Sequence, residues 1–395
     1  MFNNFNSLES NIWKYTLMLI ANKRVFVAIF SAYYLTVPDS TVKTVGIILF
    51  FGTISGFLFE IPSGYLSDKM GHKKAIVLSR LLIFFSTLTL LVANTTWLMI
   101  LGSVLLSISH SFLSGTGTAF MHETLRGLNR EKEYSKVMGK VSAIGFAVPI
   151  PLMVLTPFLV SIDFKTPFLI ALMLDFISLM VAITFVKPPV SQEQVDEINT
   201  TNFKQVIKEG YGLSYFQYGI FSAIIGGFLF STSNFRPVYQ LALEIPVIYY
   251  GVFVGIGRAL VSLMLAYSGR IKDRFNIYTF CRFKLILYAS FLIILSITAN
   301  PIVVVVIFIV LNGFQWGLME VERGFTMEII KNSNFKATLM SATAQIHQIV
   351  TALVSLSLGY VIAQSSYQIG FLYLAVAYII ILLPIYLYMR KANKF

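Results

Sequence analysis

The sequence predicts an all-α membrane protein with twelve transmembrane helices in two pseudo-symmetric six-helix halves and both termini cytoplasmic. Three observations predict it. Hydrophobic residues make up 56% of the chain and charged residues 12%, against about 25% charged in soluble domains. Apolar runs near or above the ~18 residues a helix needs to cross a bilayer recur from end to end. Basic residues fall in every second connection: Lys69–Lys74, Arg126–Lys140, Lys187–Lys208, Arg270–Lys284, Lys331–Lys336 and Arg390–Lys394. The alternate connections hold only Lys43 and Lys165. That asymmetry marks the cytoplasmic side of a membrane protein, so the net charge of +12 reads as topology and no nucleic-acid partner is expected.

The elements follow in order. Residues 1–11 are polar and lack a cationic start, so no removable signal peptide is expected. The first span, 14–37, carries Lys23 and Arg24, and only residues 25–37 separate that pair from the outer connection. Both therefore sit within the membrane thickness. They either snorkel to the inner surface, or Arg24 faces a cavity and pairs with an acid or an anionic substrate. Spans 42–63 and 75–93 flank a glycine-bounded basic stretch, Gly64–Lys74. Spans 97–120, 136–160 and 166–186 complete the first half, residues 1–186. The polar connection 187–212 opens with Lys187 and two prolines and reads as a cytoplasmic linker ending in a short surface helix. The second half, 213–395, holds spans 213–240, 246–268, 277–299, 301–322, 337–362 and 367–389. Helices are expected throughout, because lipid cannot satisfy open backbone groups and the runs are too long for barrel strands.

The halves look duplicated. Gly64 and Asp68 recur as Gly269 and Asp273, and Phe120 and Glu123 recur as Phe325 and Glu328, all at an offset of 205. The copy at 269–275 lacks the downstream glycine and basic pair, so any device built on it is expected to be stronger in the first half.

Gly64, Asp68, Gly71 and Lys73 resemble the G-x-x-x-D-R-x-G-R-K loop of the major facilitator superfamily, with Lys69 and His72 where Arg is usual. The resemblance covers essentially the whole chain. It implies a transporter of two six-helix halves with its substrate near the midplane between them. It also implies that this loop is a latch on one gating state; Lys69, His72 and Lys73 can pair with acids from neighbouring cytoplasmic ends, and Glu123 is the candidate. Residues 59–64, with Ser114, Gly115 and Glu123–Leu125, look like a branch of bacterial proton-coupled exporters. The helix-five antiporter signature departs from the family pattern: Gly139, Gly145, Pro149 and Pro151 are present without a Gly-Pro pair.

Charges inside spans cost roughly 2.5–3.5 kcal/mol each on insertion scales and so should face a cavity or a partner. Glu60 and Asp175 are the proton-carrier candidates, because desolvation raises a carboxylate's pKa toward neutrality. The alternatives are a structural pairing of Glu60 with Arg80 and a fixed ion pair at Asp175. Arg24, His110, Arg236, Arg258, Trp316, Gln345 and His347 are the substrate-site candidates. Gln345 and Gln348 share a helix face with His347 between them, so helix eleven is expected to line a polar cavity. The excess of cations points to an anionic or zwitterionic substrate.

Phosphate-loop and Cys/His metal spacings are absent, so neither a cofactor nor an enzyme activity is expected. The expectation is a monomeric, multi-pass inner-membrane protein whose partners are a small-molecule substrate, protons and the lipid bilayer. It would export a small amphiphilic or organic solute by proton-coupled antiport. The alternative is a proton-coupled importer or uniporter of an organic anion such as a siderophore or metabolite.

Overall fold

The structure, a computed structural model, describes residues 7–22, 25–114, 116–189, 215–329 and 336–392. All regular structure among them is helical. Nine of the described helices or helix runs are long and apolar enough to cross a membrane. A tenth candidate is a broken span, Ser10–Ala28 with Phe30–Thr36, bent by 63°. Residues pack as two compact units, one of Met1–Tyr33 and Phe51–Thr201, the other of Tyr34–Phe50 and Asn202–Phe395.

The first unit contains α1 (Ser10–Asn22), α2 (Phe30–Tyr33), most of α3 (Val42–Met70), α4 (His72–Val92), α5 (Thr96–Ser114), α6 (Thr116–Gly127), α7 (Tyr134–Ala147), α8 (Ile150–Val160) and α9 (Thr166–Ile183). Helix α4 packs between α5 and α9. Its buried residues, from Ala75 through Ser79, Arg80, Ile83 and Thr87 to Leu90, recur every three or four positions, as one buried helix face requires. Hydroxyls bind α4 to α5: Ser86 Oγ donates to the Gly102 carbonyl at 2.7 Å and Ser79 Oγ to the Ser109 carbonyl at 2.8 Å. Small residues and hydroxyls suit helix contacts in lipid, where apolar burial alone gives little attraction. Tyr15, Met18, Ile76, Phe120, Met121 and Leu125 form an apolar cluster in this unit.

Two expected boundaries are corrected. The span 136–160 is broken into α7 and α8, with Pro149 at the joint and a second proline in the first turn of α8. Proline removes a helix hydrogen bond and clashes with the preceding turn. The stretch 64–74 is not an open loop. Helix α3 continues to Met70 and α4 starts at His72, so Gly71 alone forms the connection.

The second unit contains α10 (Tyr215–Ala242), α11 (Tyr250–Ala266), α12 (Ser268–Asp273), α13 (Ile277–Ile297), α14 (Pro301–Gly317), α15 (Met319–Ile329), α16 (Lys336–Gln364) and α17 (Tyr367–Ala392). It also takes the start of α3. There Gly46 meets Gly359 of α16 so closely that a Cβ on Gly359 would fall 2.9 Å from Gly46 Cα. Helix α10 packs on α16, α11 on α14 and α13 on α17. The repeat is visible in the helix limits: α4 spans 72–92 and α13 spans 277–297, while α5 begins at 96 and α14 at 301. Each pair differs by 205.

Candidate functional site

The latch region is built on one residue's backbone. Gly71 has φ 89° and ψ 141°, a conformation essentially restricted to glycine. It ends α3 and starts α4 in a single step, with its amide donating to the Ser67 carbonyl at 2.9 Å. The reversal carries His72 toward α6, where His72 Nδ1 lies 2.9 Å from Glu123 Oε1. Glu123 is 5% exposed. Thr116 Oγ1 donates to Ser67 Oγ at 2.7 Å, tying α6 to α3 as well. Lys69 is exposed and Lys73 partly buried. The Asp68 side chain lies outside what the structure describes, although its backbone belongs to α3. Gly64 has open space where a Cβ would sit among the described residues, so no close helix approach requires glycine there.

In the second unit Asn276 holds the position equivalent to Gly71 and caps α13 with its side chain, accepting from the Thr279 amide. Asp273 is exposed at the end of α12. Lys272 forms an ion pair with Glu328, its ammonium 5.2 Å from the Phe325 ring centre. The second copy therefore has a cation–acid contact of its own, despite lacking the glycine and basic pair.

Asp175 is fully buried on α9 and accepts from Thr87 Oγ1 at 2.6 Å. Ser178, one turn along α9, has a buried hydroxyl with no hydrogen-bond partner among the described residues. Glu60 accepts from Ser114 Oγ at 2.8 Å. Arg80 donates to Asn22 Oδ1 at 2.9 Å and to Ser79 Oγ at 3.0 Å. His110 is exposed on α5. Lys23 and Arg24 lie outside the described residues.

In the second unit the polar residues of α16 form a seam with α10. Tyr215 Oη and Thr343 Oγ1 are 2.9 Å apart, and Ser231 Oγ donates to the Thr351 carbonyl at 2.9 Å. The His347 ring lies edge-on to Phe230 and against Gly226, where a Cβ would fall 2.6 Å from its Cδ2. Part of the polar face expected to line a cavity is thus packed against a helix. Gln345 is partly exposed beside it. Gln348 Oε1 is buried with no hydrogen-bond partner among the described residues. Trp316 is partly buried, and its neighbour Gln315 accepts from Ser233 Oγ at 2.8 Å. Arg236 and Arg258 are half-buried, and neither forms an ion pair with a described acid.

Two buried cations stand outside the residues expected to form a site. Lys284, counted with a basic connection, lies inside α13, only 4% exposed, with Nζ 2.8 Å from Glu322 Oε2. Lys14 is fully buried on α1 and donates to the Thr184 carbonyl at 2.7 Å. For Lys284 the signal was available: it stands well inside an apolar run, where a lone cation needs an acid.

The family profile of the Major Facilitator Superfamily matches residues 15–342. An uncharacterized transporter, BU466, of Buchnera aphidicola is 27% identical over 182 residues, 45% of each chain. The uncharacterized MFS-type transporter YxaM of Bacillus subtilis is 24% identical over 204 residues, 51% of this chain and 49% of its own. The chain thus spans about half the length of the curated relatives it matches. Among solved structures, the nucleoside transporter NupG superposes with a TM-score of 0.71 at 13% identity, over 96% of this chain and 98% of its own. A D-xylose–proton symporter gives 0.67 at 12%, over 94% and 96%. These likenesses are of fold.

Proposed function

The chain belongs to the Major Facilitator Superfamily, and from that premise we propose that it is a twelve-span secondary active transporter of a small amphiphilic or organic solute. Its halves, residues 1–186 and 213–395 joined by a linker at 187–212, work by alternating access, with both termini cytoplasmic. Export driven by the proton gradient is the direction that the resemblance to the exporter branch favours. It acts as a monomer in the inner membrane.

The observation that carries the coupling is Asp175, fully buried and bound by the Thr87 hydroxyl. A carboxyl so placed meets water only when a conformational change opens its surroundings, as alternating access would. The Ser178 hydroxyl one turn away, with no hydrogen-bond partner among the described residues, gives a proton a further acceptor. Glu60, held by Ser114, is the second carrier. The test is flux of a screened compound in proteoliposomes under an imposed pH gradient, with Asp175→Asn as control.

A second reading, import or uniport of an organic anion, is favoured by Arg236 and Arg258, half-buried cations that form no ion pair with a described acid. In either reading these arginines, with Arg24, His110, Trp316, Gln345 and His347, are the proposed substrate contacts. The stretch Gly64–Lys73 with Glu123, and Asp273 in its copy, forms the proposed gating element.

A further inference from the structure

Glu123 and Glu328 occupy the same place in the repeat, 328 − 123 = 205, and the two units hold them with different cations. Glu123 meets His72, the first residue of α4. Glu328 meets Lys272, in the last turn of α12. We propose that the His72–Glu123 contact is a proton-operated clamp, closed when the imidazole is charged and loosened when it is neutral, while Lys272–Glu328 stays closed at every physiological pH.

The chemistry of the two cations carries the difference. An imidazole changes charge between about pH 5 and 8, whereas a lysine ordinarily keeps its charge until about pH 10. The His72 and Glu123 side chains are only 17% and 6% exposed, so their attraction is weakly screened by salt. As pH rises, His72 loses its charge and Glu123 is left as a poorly solvated carboxylate without a full counter-charge. The contact does not vanish, because neutral imidazole can still donate its Nδ1–H. The positive end of α4 also remains beside the carboxylate. Loosening of α6 against α4 is the consequence, not unfolding.

The neighbouring charges come from five elements. Helix α3 brings Asp68 and Lys69 in its last turn, and α4 brings Lys73 and Lys74. Helix α1 brings Lys14, already committed to the Thr184 carbonyl. Helix α6 brings Arg126 and His122, and His122 Nε2 lies 3.1 Å from Glu131 in the short turn Glu131–Glu133. His122 is the second imidazole at this end of α6 and is the group a test must separate. The inference rests on the proposed topology only in placing this clamp on the cytoplasmic side.

Hydrogen exchange on the purified full-length protein in nanodiscs tests it, with rates corrected for the intrinsic effect of pH. Exchange in 116–127 should be about fivefold faster near pH 8 than near pH 5.5. Peptides from 319–329 should show no such change. His72→Arg should make 116–127 slow at both pH values, and His122→Gln should keep the wild-type response. A flat wild-type profile, a His72→Arg protein that still responds to pH, or loss of the response in His122→Gln would overturn the proposal. None of these results depends on solute flux, so transport can fail or succeed independently.

Discussion

The Thr87 hydroxyl lies 2.6 Å from Asp175 Oδ2 and 3.1 Å from the Ile83 carbonyl, so a single hydrogen stands between two acceptors. When Asp175 is ionised, the hydrogen turns to the carboxylate. When Asp175 is protonated, the acid donates to Thr87, which can turn its own hydrogen to the Ile83 carbonyl. The α4–α9 contact thus remains hydrogen-bonded in both protonation states, which suits the carrier role proposed for Asp175.

Asp175→Asn fixes this site in a neutral form. Solute movement in proteoliposomes should lose its dependence on the imposed pH gradient, by about tenfold for a coupling site worth ~1.4 kcal/mol. Insertion should be unchanged. A mutant with the wild-type pH response removes Asp175 from the coupling role.

The Lys284–Glu322 pair should behave as a buried ion pair. Lys284→Met alone leaves Glu322 without its cation and should cost about 3 kcal/mol. Combined with Glu322→Gln, much of that loss should be recovered. Thermal unfolding of the two single variants and the double variant in detergent measures the coupling. Simple additivity would show that the contact contributes nothing.

Gly71→Ala places a Cβ on a backbone with φ 89°, which should cost about 1–2 kcal/mol and shift the α3–α4 junction. Asp68→Asn tests the latch more gently. It should impair transport and leave insertion and melting temperature intact, and unchanged transport kinetics would count against the latch.

The cations separate the two substrate readings. Arg258→Gln and Arg24→Ala should each weaken binding of an anionic substrate several-fold and leave a neutral one unaffected. Equal affinities in wild type and both variants would favour an uncharged solute and snorkelling of Arg24.

Much of this was legible in the sequence, for definite physical reasons. Apolar length gave the nine spans found among the described helices, and the 205-residue offset that aligned Glu123 with Glu328 reappears in the limits of α4 and α13. Helix ends were harder to read. Apolarity stops near residue 63, but a helix stops where its backbone is broken, and that is Gly71. Partners were also hidden. Arg80 donates to Asn22 and Glu60 accepts from Ser114, because amides and hydroxyls also hydrogen-bond charged groups inside a helix bundle, and no charge pattern announces them. Part of the polar stripe on α16 forms a seam with α10, because a polar stripe serves helix packing in lipid as well as it serves a substrate.

The most direct test of the account is flux through the purified protein. A growth-inhibition screen of a strain lacking the gene would first identify a compound. Proteoliposomes would then be loaded with it and placed under a proton gradient directed inward. The account predicts release that depends on the gradient, collapses with a protonophore and loses its pH dependence in Asp175→Asn. Release no faster than from protein-free liposomes, or flux indifferent to the gradient in wild type, would contradict it.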